Sequence, residues 1–240
     1  VQVEKPMINS DSFDLRKEAI FGIVYFAIYL GYLFVNPENE FMHWITLVFL
    51  PLILIYLFQK MTLPVASFMQ SLASIGLDRN NLKNGLYWAI LIGLAISFLQ
   101  LFLSRQSSQI WQTFQSGKVI YLFPLTFLIM FFTAGLTEEF FFRGVLQTRL
   151  ARLFKSNFWA VVATSALFSL YHLPYAYLNP RWPSHGNWMA AIGSASFLGI
   201  AGLILGTVYV KTKSNLLACI LVHSLTNVLP GMTMIKFGGK

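Results

Sequence analysis

Seven long apolar runs, parted by short polar stretches, restrict this chain to few folds. They lie at Ala19–Val35, Phe41–Phe58, Gly85–Leu103, Val119–Leu136, Phe158–Leu173, Trp188–Val210 and Leu216–Val228. Each is long enough, or nearly so, to cross a hydrocarbon layer that takes ~20 helical residues. Backbone in lipid has to satisfy its own N–H and C=O groups, so the runs are read as helices. Only 11% of the 240 residues are charged and 56% are hydrophobic, whereas a soluble domain carries about a quarter charged residues. The expected class is all-α: a polytopic membrane helix bundle of seven transmembrane helices, eight if the more polar Met61–Leu77 also crosses. No repeat or interior linker is visible. Residues 1–240 therefore read as one transmembrane domain, with a polar N-terminal segment at 1–18 and a motif-bearing core at 119–228.

The net charge of +8 invites a nucleic-acid reading, but in a membrane chain lysine and arginine first report topology. With seven crossings one side collects twelve basic residues: Lys5, Arg16, Lys17, Lys60, Arg79, Lys83, Arg143, Arg149, Arg152, Lys155, Lys211 and Lys213. The other side holds five, Arg105, Lys118, Arg181, Lys236 and Lys240. That asymmetry places the N-terminus in the cytoplasm. An eighth crossing at Met61–Leu77 would leave nine against eight and erase the bias. The opening "VQVEKPMINSDSFDLRKEAI" is polar and mixed in charge, unlike a secretory signal peptide. One cysteine excludes an internal disulfide. Pro174 and Pro230 are expected at helix ends, and Pro51 and Pro124 at kinks.

Three places break the apolar pattern with chemistry. In "LTEEFFFRGV", Glu139 and Arg143 stand four apart and share a helix face, so they can pair. Glu138 points about 100° away and has no such partner. Ionisable groups at membrane depth are functional by default; Arg149, Arg152 and Lys155 are the better markers of the cytoplasmic boundary. His172 lies near the far end of the fifth run, and His223 and Asn227 share a face of the seventh. At a helical rise of ~1.5 Å, Glu138 lies roughly 16 Å from Arg149, His223 roughly 15 Å from Lys213 and His172 roughly 25 Å from Lys155. A carboxylate, two imidazoles and an amide thus reach broadly one slab of the bundle. A glutamate beside a histidine can hold a water and take its proton. A second histidine and an amide can donate to the oxyanion formed when that water attacks a carbonyl.

The pattern resembles the CPBP membrane proteins, the family of CAAX prenyl endopeptidases and bacteriocin-processing or immunity (Abi) proteins. Its motifs E-E-x-x-x-R, F-x-x-x-H and H-x-x-x-N stand here as Glu138–Arg143, Phe168–His172 and His223–Asn227, in order and intact. The resemblance covers Val119 to Val228. It implies a glutamate-dependent intramembrane protease in which Glu138 is the base, His172 positions the water, and His223 and Asn227 form the oxyanion site. Glu139 and Arg143 are supporting. The implied partner is a membrane-anchored protein or peptide, prenylated or not, cut near its anchor, with no cofactor.

Three rivals stay open. Glu138, His172 and His223 are also what a zinc site uses, although the H-E-x-x-H spacing is missing. Cys219, His223 and Asn227 share one face as a cysteine protease would need. A non-proteolytic immunity or scaffold protein needs the polar cluster only for packing. A transporter fits less well, since no inverted repeat or paired broken helices are visible. Gly202 and Gly206, spaced G-x-x-x-G, are read as close packing inside the bundle, and no oligomer is expected. His43 and His185 are expected in outer loops.

Overall fold

The computed structural model describes residues 12–36, 40–62, 68–77 and 82–235. Among them every regular element is a helix. Helix α1 (Ser12–Val35) is followed by α2 (Glu40–Trp44), which continues through a π turn, Ile45–Phe49, into α3 (Leu50–Thr62). Short α4 (Phe68–Ser74) leads to α5 (Leu82–Leu103) and α6 (Ser107–Gln115). A single rod then runs through α7 (Val119–Met130), a π turn Phe131–Gly135, α8 (Leu136–Glu139), a π segment Phe140–Gln147 and α9 (Thr148–Phe154). The last three helices are α10 (Asn157–Leu178), α11 (Trp188–Lys211) and α12 (Leu216–Met234).

Six stretches are long and apolar enough to cross a membrane: Arg16–Val35, Met42–Met61, Gly85–Leu103, Val119–Phe154, Trp188–Lys211 and Leu216–Met234. The remaining expected run is α10, whose 22 residues suffice in length but which is not among those six. Three of the late helices start on a side-chain cap that accepts a backbone N–H: Ser156 from Trp159, Asn187 from Ala190 and Asn215 from Ala218. Such caps satisfy a donor that the helix itself cannot. They fix where α10, α11 and α12 begin, and with that the depth of every polar side chain along them.

α12 is the central helix. Of its spanning window 61% is buried, against 11% for α5 at the rim. It packs along α5 and α7, while α10 packs along α11. Contacts sort the bundle into two ends. At one end Arg149 Nε donates to Glu18 at 3.2 Å, Leu216 N–H to Gly76 C=O at 3.0 Å and the Tyr209 hydroxyl to Ile75 C=O at 3.3 Å. At the other, His43 meets the Tyr175 hydroxyl, and Ile110 and Leu122 pack with Met232.

Several sequence expectations need revision. Pro174 and Pro230 lie inside α10 and α12 rather than at their ends; each helix runs four residues further, because bundle packing outweighs one missing N–H. Arg149 is not a solvated boundary marker. It is 2% exposed and ties α9 to α1 and to Gly144 C=O. His43 sits in α2 and not in a loop, whereas His185 is in the turn before α11. Gly202 and Gly206 do face the bundle interior: a Cβ on Gly202 would come within 3.2 Å of Ser165, and one on Gly206 within 2.9 Å of Gln147. Of Met61–Leu77, residues 63–67 lie outside the described residues, as do Lys5, Arg79, Lys236, Lys240 and the N-terminal segment up to residue 11.

Gly76 is a tight joint at the Glu18–Arg149 end. Its φ of +90° suits glycine alone, and an added Cβ would run into Ser214 C=O and the Tyr209 hydroxyl. Gly76→Ala is expected to cost roughly 1–3 kcal/mol, read as a lower thermal midpoint of the detergent-solubilised protein. Gly186→Ala, also at positive φ but with open space around it, should cost less.

Candidate active site

Glu138 and Glu139 form the last turn of α8, between two π stretches. π turns inside α-helices widen the backbone and recur at functional sites. Every residue of Phe140–Gln147 is buried. Two of its polar side chains dock on α11 one turn apart: Arg143 Nη2 donates to Gly202 C=O at 3.1 Å, and Gln147 Nε2 to Gly206 C=O at 2.9 Å. Gly206 leaves room for Gln147, while Gly202 leaves room for Ser165 and Phe168 of α10. Their small-residue spacing thus serves close packing within the chain.

Glu139 is fully buried and pairs with Arg143 at 2.7 Å, as the four-residue spacing predicts. The same carboxylate oxygen also accepts from His223 Nδ1 at 2.7 Å. Sequence spacing offered no sign of this second contact, because His223 lies 84 residues away. The Arg143 guanidinium rests over the Phe168 ring at 4.7 Å, and that ring lies 4.5 Å from the His172 imidazole. Phe168 was legible only as a motif letter; in the fold it is the floor under both groups.

Both histidines have their tautomer set by what their Nδ1 meets. His172 Nδ1 lies 2.9 Å from Phe168 C=O, which can only accept, so Nδ1 carries the proton. His223 Nδ1 likewise donates to the Glu139 carboxylate. Each ring therefore turns Nε2 toward Glu138, whose Oε2 lies 3.8 Å from His172 Nε2 and 3.9 Å from His223 Nε2. These separations are too long for direct hydrogen bonds. Each suits a water between Glu138 and an imidazole, with hydrogen bonds of about 2.8 Å. Glu138 Oε2 is buried and has no hydrogen-bond partner among the described residues. The three side chains keep only 12%, 11% and 9% of their surface, so the cluster is nearly closed.

Asn227 is not drawn into this contact set. It stands one turn beyond His223, half-buried, and its side chain makes no hydrogen bond among the described residues. Cys219 turns the other way: its thiol donates to Leu205 C=O at 3.5 Å. Both His223 nitrogens face glutamates, which leaves Cys219 without a base. Among the described residues no group of three His, Cys, Asp or Glu has metal-holding geometry. The edges of 3.8 and 3.9 Å exceed the ~3.3–3.4 Å between ligands at zinc bond lengths of ~2.0–2.1 Å.

The comparisons with known proteins bear on this geometry. Residues 120–229 match the family model of the type II CAAX prenyl endopeptidase Rce1-like proteins. That stretch of the chain is Rce1-like. It contains all three motifs, and it coincides with the half of the molecule that builds the cluster around Glu138. The Rce1-like match, together with six apolar helices of spanning length, supports an integral membrane protease of this family. No curated protein and no solved structure matches the chain.

The two glutamates should respond differently to loss of charge. Glu139→Gln strands the buried Arg143 guanidinium and should cost roughly 3–5 kcal/mol, lowering the thermal midpoint sharply. Glu138→Gln removes a carboxylate whose Oε2 has no hydrogen-bond partner among the described residues, so its midpoint should stay within about 1 kcal/mol of wild type.

Proposed function

We propose that the chain is a glutamate-dependent intramembrane endopeptidase that hydrolyses a peptide bond near a membrane anchor. One observation carries the reading: the unpartnered Glu138 Oε2, set one water away from two imidazole Nε2 atoms. A water there donates one O–H to Glu138 and one to His172 Nε2, which its tautomer leaves as an acceptor. Glu138 takes the proton as the oxygen attacks the scissile carbonyl carbon. The carbonyl π electrons move to oxygen, and His223 Nε2–H and the Asn227 amide donate to the resulting oxyanion. As the C–N bond breaks, Glu138 passes its proton to the leaving amine.

Charge balance supports these roles. Glu138, Glu139 and Arg143 together carry one net negative charge when both histidines are neutral. One added proton on His223 neutralises the cluster and provides the Nε2–H that an oxyanion donor needs, with Glu139 as counterion on the opposite nitrogen. Glu139 and Arg143 are thus supporting residues with a definite task.

The substrate is a membrane-anchored protein or peptide, and the family adds prenylated C-termini as one class to try. Seven crossings, counting α10, fit the sorting of contacts into two ends, with α4 at the Glu18–Arg149 end beside the start of α12. By the twelve-to-five distribution of basic residues that end faces the cytoplasm, and the N-terminus with it. The domain reading of residues 1–240, with its core at 119–228, goes with this topology. No nucleic acid and no second protomer is invoked.

A zinc enzyme is the second reading: Glu138, His172 and His223 are residue types that zinc takes, and they would hold the ion only after closing from the 3.8 and 3.9 Å at which they stand.

Purified protein incubated with prenylated and unmodified peptides, with and without chelator, tests the proposal. Cleavage should persist in chelator and fall by at least ~100-fold in Glu138→Gln. Activity lost to chelator and restored by zinc would establish the metal reading. A Glu138→Gln protein that keeps its biological phenotype would point to the non-proteolytic immunity or scaffold class.

A further inference from the structure

Pro230 sits inside α12, where it has no N–H to give to the carbonyl four residues earlier, that of Thr226. An unanswered carbonyl in a lipid-embedded bundle is unfavourable, and neighbouring side chains commonly repair the gap. Here the repair comes from another helix. Gln100 on α5 directs its Nε2 to Thr226 C=O at 2.8 Å, across 126 residues of sequence. One turn earlier on α5, Ser97 reaches the adjacent Leu225 C=O at 3.3 Å. Thr226 in turn donates its hydroxyl to His223 C=O at 2.8 Å. A hydrogen-bonded path therefore runs from Gln100 through Thr226 to the backbone of His223, along the turn that carries Asn227.

Gln100 makes this contact at a disadvantage. Its Oε1 is buried without a hydrogen-bond partner among the described residues, so the side chain is not there to satisfy itself. A residue placed only to fill the α5–α12 interface would be apolar. The amide N–H is the group that the site needs.

From this arrangement we infer that Gln100 is a positioning residue: it stands in for the N–H missing at Pro230 and holds the His223-to-Asn227 turn at the depth where His223 faces Glu138. Gln100 lies outside residues 120–229. The inference rests on the proposed oxyanion role for its catalytic part, while its structural part is independent of any activity.

The decisive comparison uses the full chain in lipid nanodiscs as Gln100→Leu, Pro230→Ala and the double variant. Two readouts are taken: amide hydrogen exchange over residues 223–230, and kcat and KM on a peptide that the wild type cleaves. Gln100→Leu should speed exchange there by about fivefold to tenfold. Its kcat should drop by about tenfold or more with KM little changed, since only transition-state contacts are displaced. Pro230→Ala in the Gln100→Leu background supplies the N–H from the helix itself and should return both readouts to near wild type. Should Gln100→Leu fail to fold, the double variant should fold. Unchanged exchange in Gln100→Leu, or a defect that Pro230→Ala does not relieve, overturns the inference. A wild type that cleaves nothing counts against the proposed protease, and exchange still decides whether Gln100 holds the turn.

Discussion

A guanidinium buried among helices in lipid has to be answered, and the answer given to Arg143 organises this fold. It is 1% exposed. Glu139 takes its charge, Gly202 its second terminal nitrogen and the Phe168 ring its face. Those three partners come from α8, α11 and α10. Because Glu139 also binds His223 on α12, one ion pair sets the relative depth of four helices. Removing Glu139 would leave the guanidinium buried without that counter-charge, which costs several kcal/mol. The neighbouring carboxylate, Glu138, is released from any structural duty by this arrangement.

That division of labour answers why two adjacent glutamates persist at membrane depth. One is consumed by the scaffold. The other faces two imidazoles whose outer nitrogens are tied to a carbonyl and to the first glutamate. The tautomers are therefore fixed by the backbone and by the ion pair, and both Nε2 atoms are presented inward without further adjustment. A polar network in a low-dielectric interior is favourable only when nearly every member is paired. Among the described residues three atoms of this network lack a hydrogen-bond partner, Glu139 Oε2, Arg143 Nε and Glu138 Oε2, and the last of them falls where a reacting water would sit.

Hydropathy made the helices legible: all seven runs are helical, although the first begins at Ser12, the fourth runs on through the glutamates to Phe154 and the seventh continues to Met234. The Glu139–Arg143 pair followed from spacing on one helix. The contacts that were not legible all join distant segments. Glu139 to His223, Arg143 to Gly202 and Gln100 to Thr226 depend on how helices are rotated against one another, and periodicity in one run carries no information on that. The prolines misled for a related reason. Pro174 and Pro230 terminate helices in isolation, but a neighbouring helix can offset the lost hydrogen bond, as Gln100 does for Pro230. The π stretches flanking α8 were invisible as well, since one extra residue per turn leaves no mark in an apolar sequence.

The most direct test is an experimental density map sharp enough to show ordered solvent between α8, α10 and α12. The account predicts one water peak within hydrogen-bond distance of Glu138 Oε2 and of the Nε2 atoms of His172 and His223, roughly 2.6–3.2 Å from each. A peak held by the same three atoms at ~2.0–2.1 Å would be a zinc ion, and side chains turned away from one another would leave no shared site; either result contradicts it.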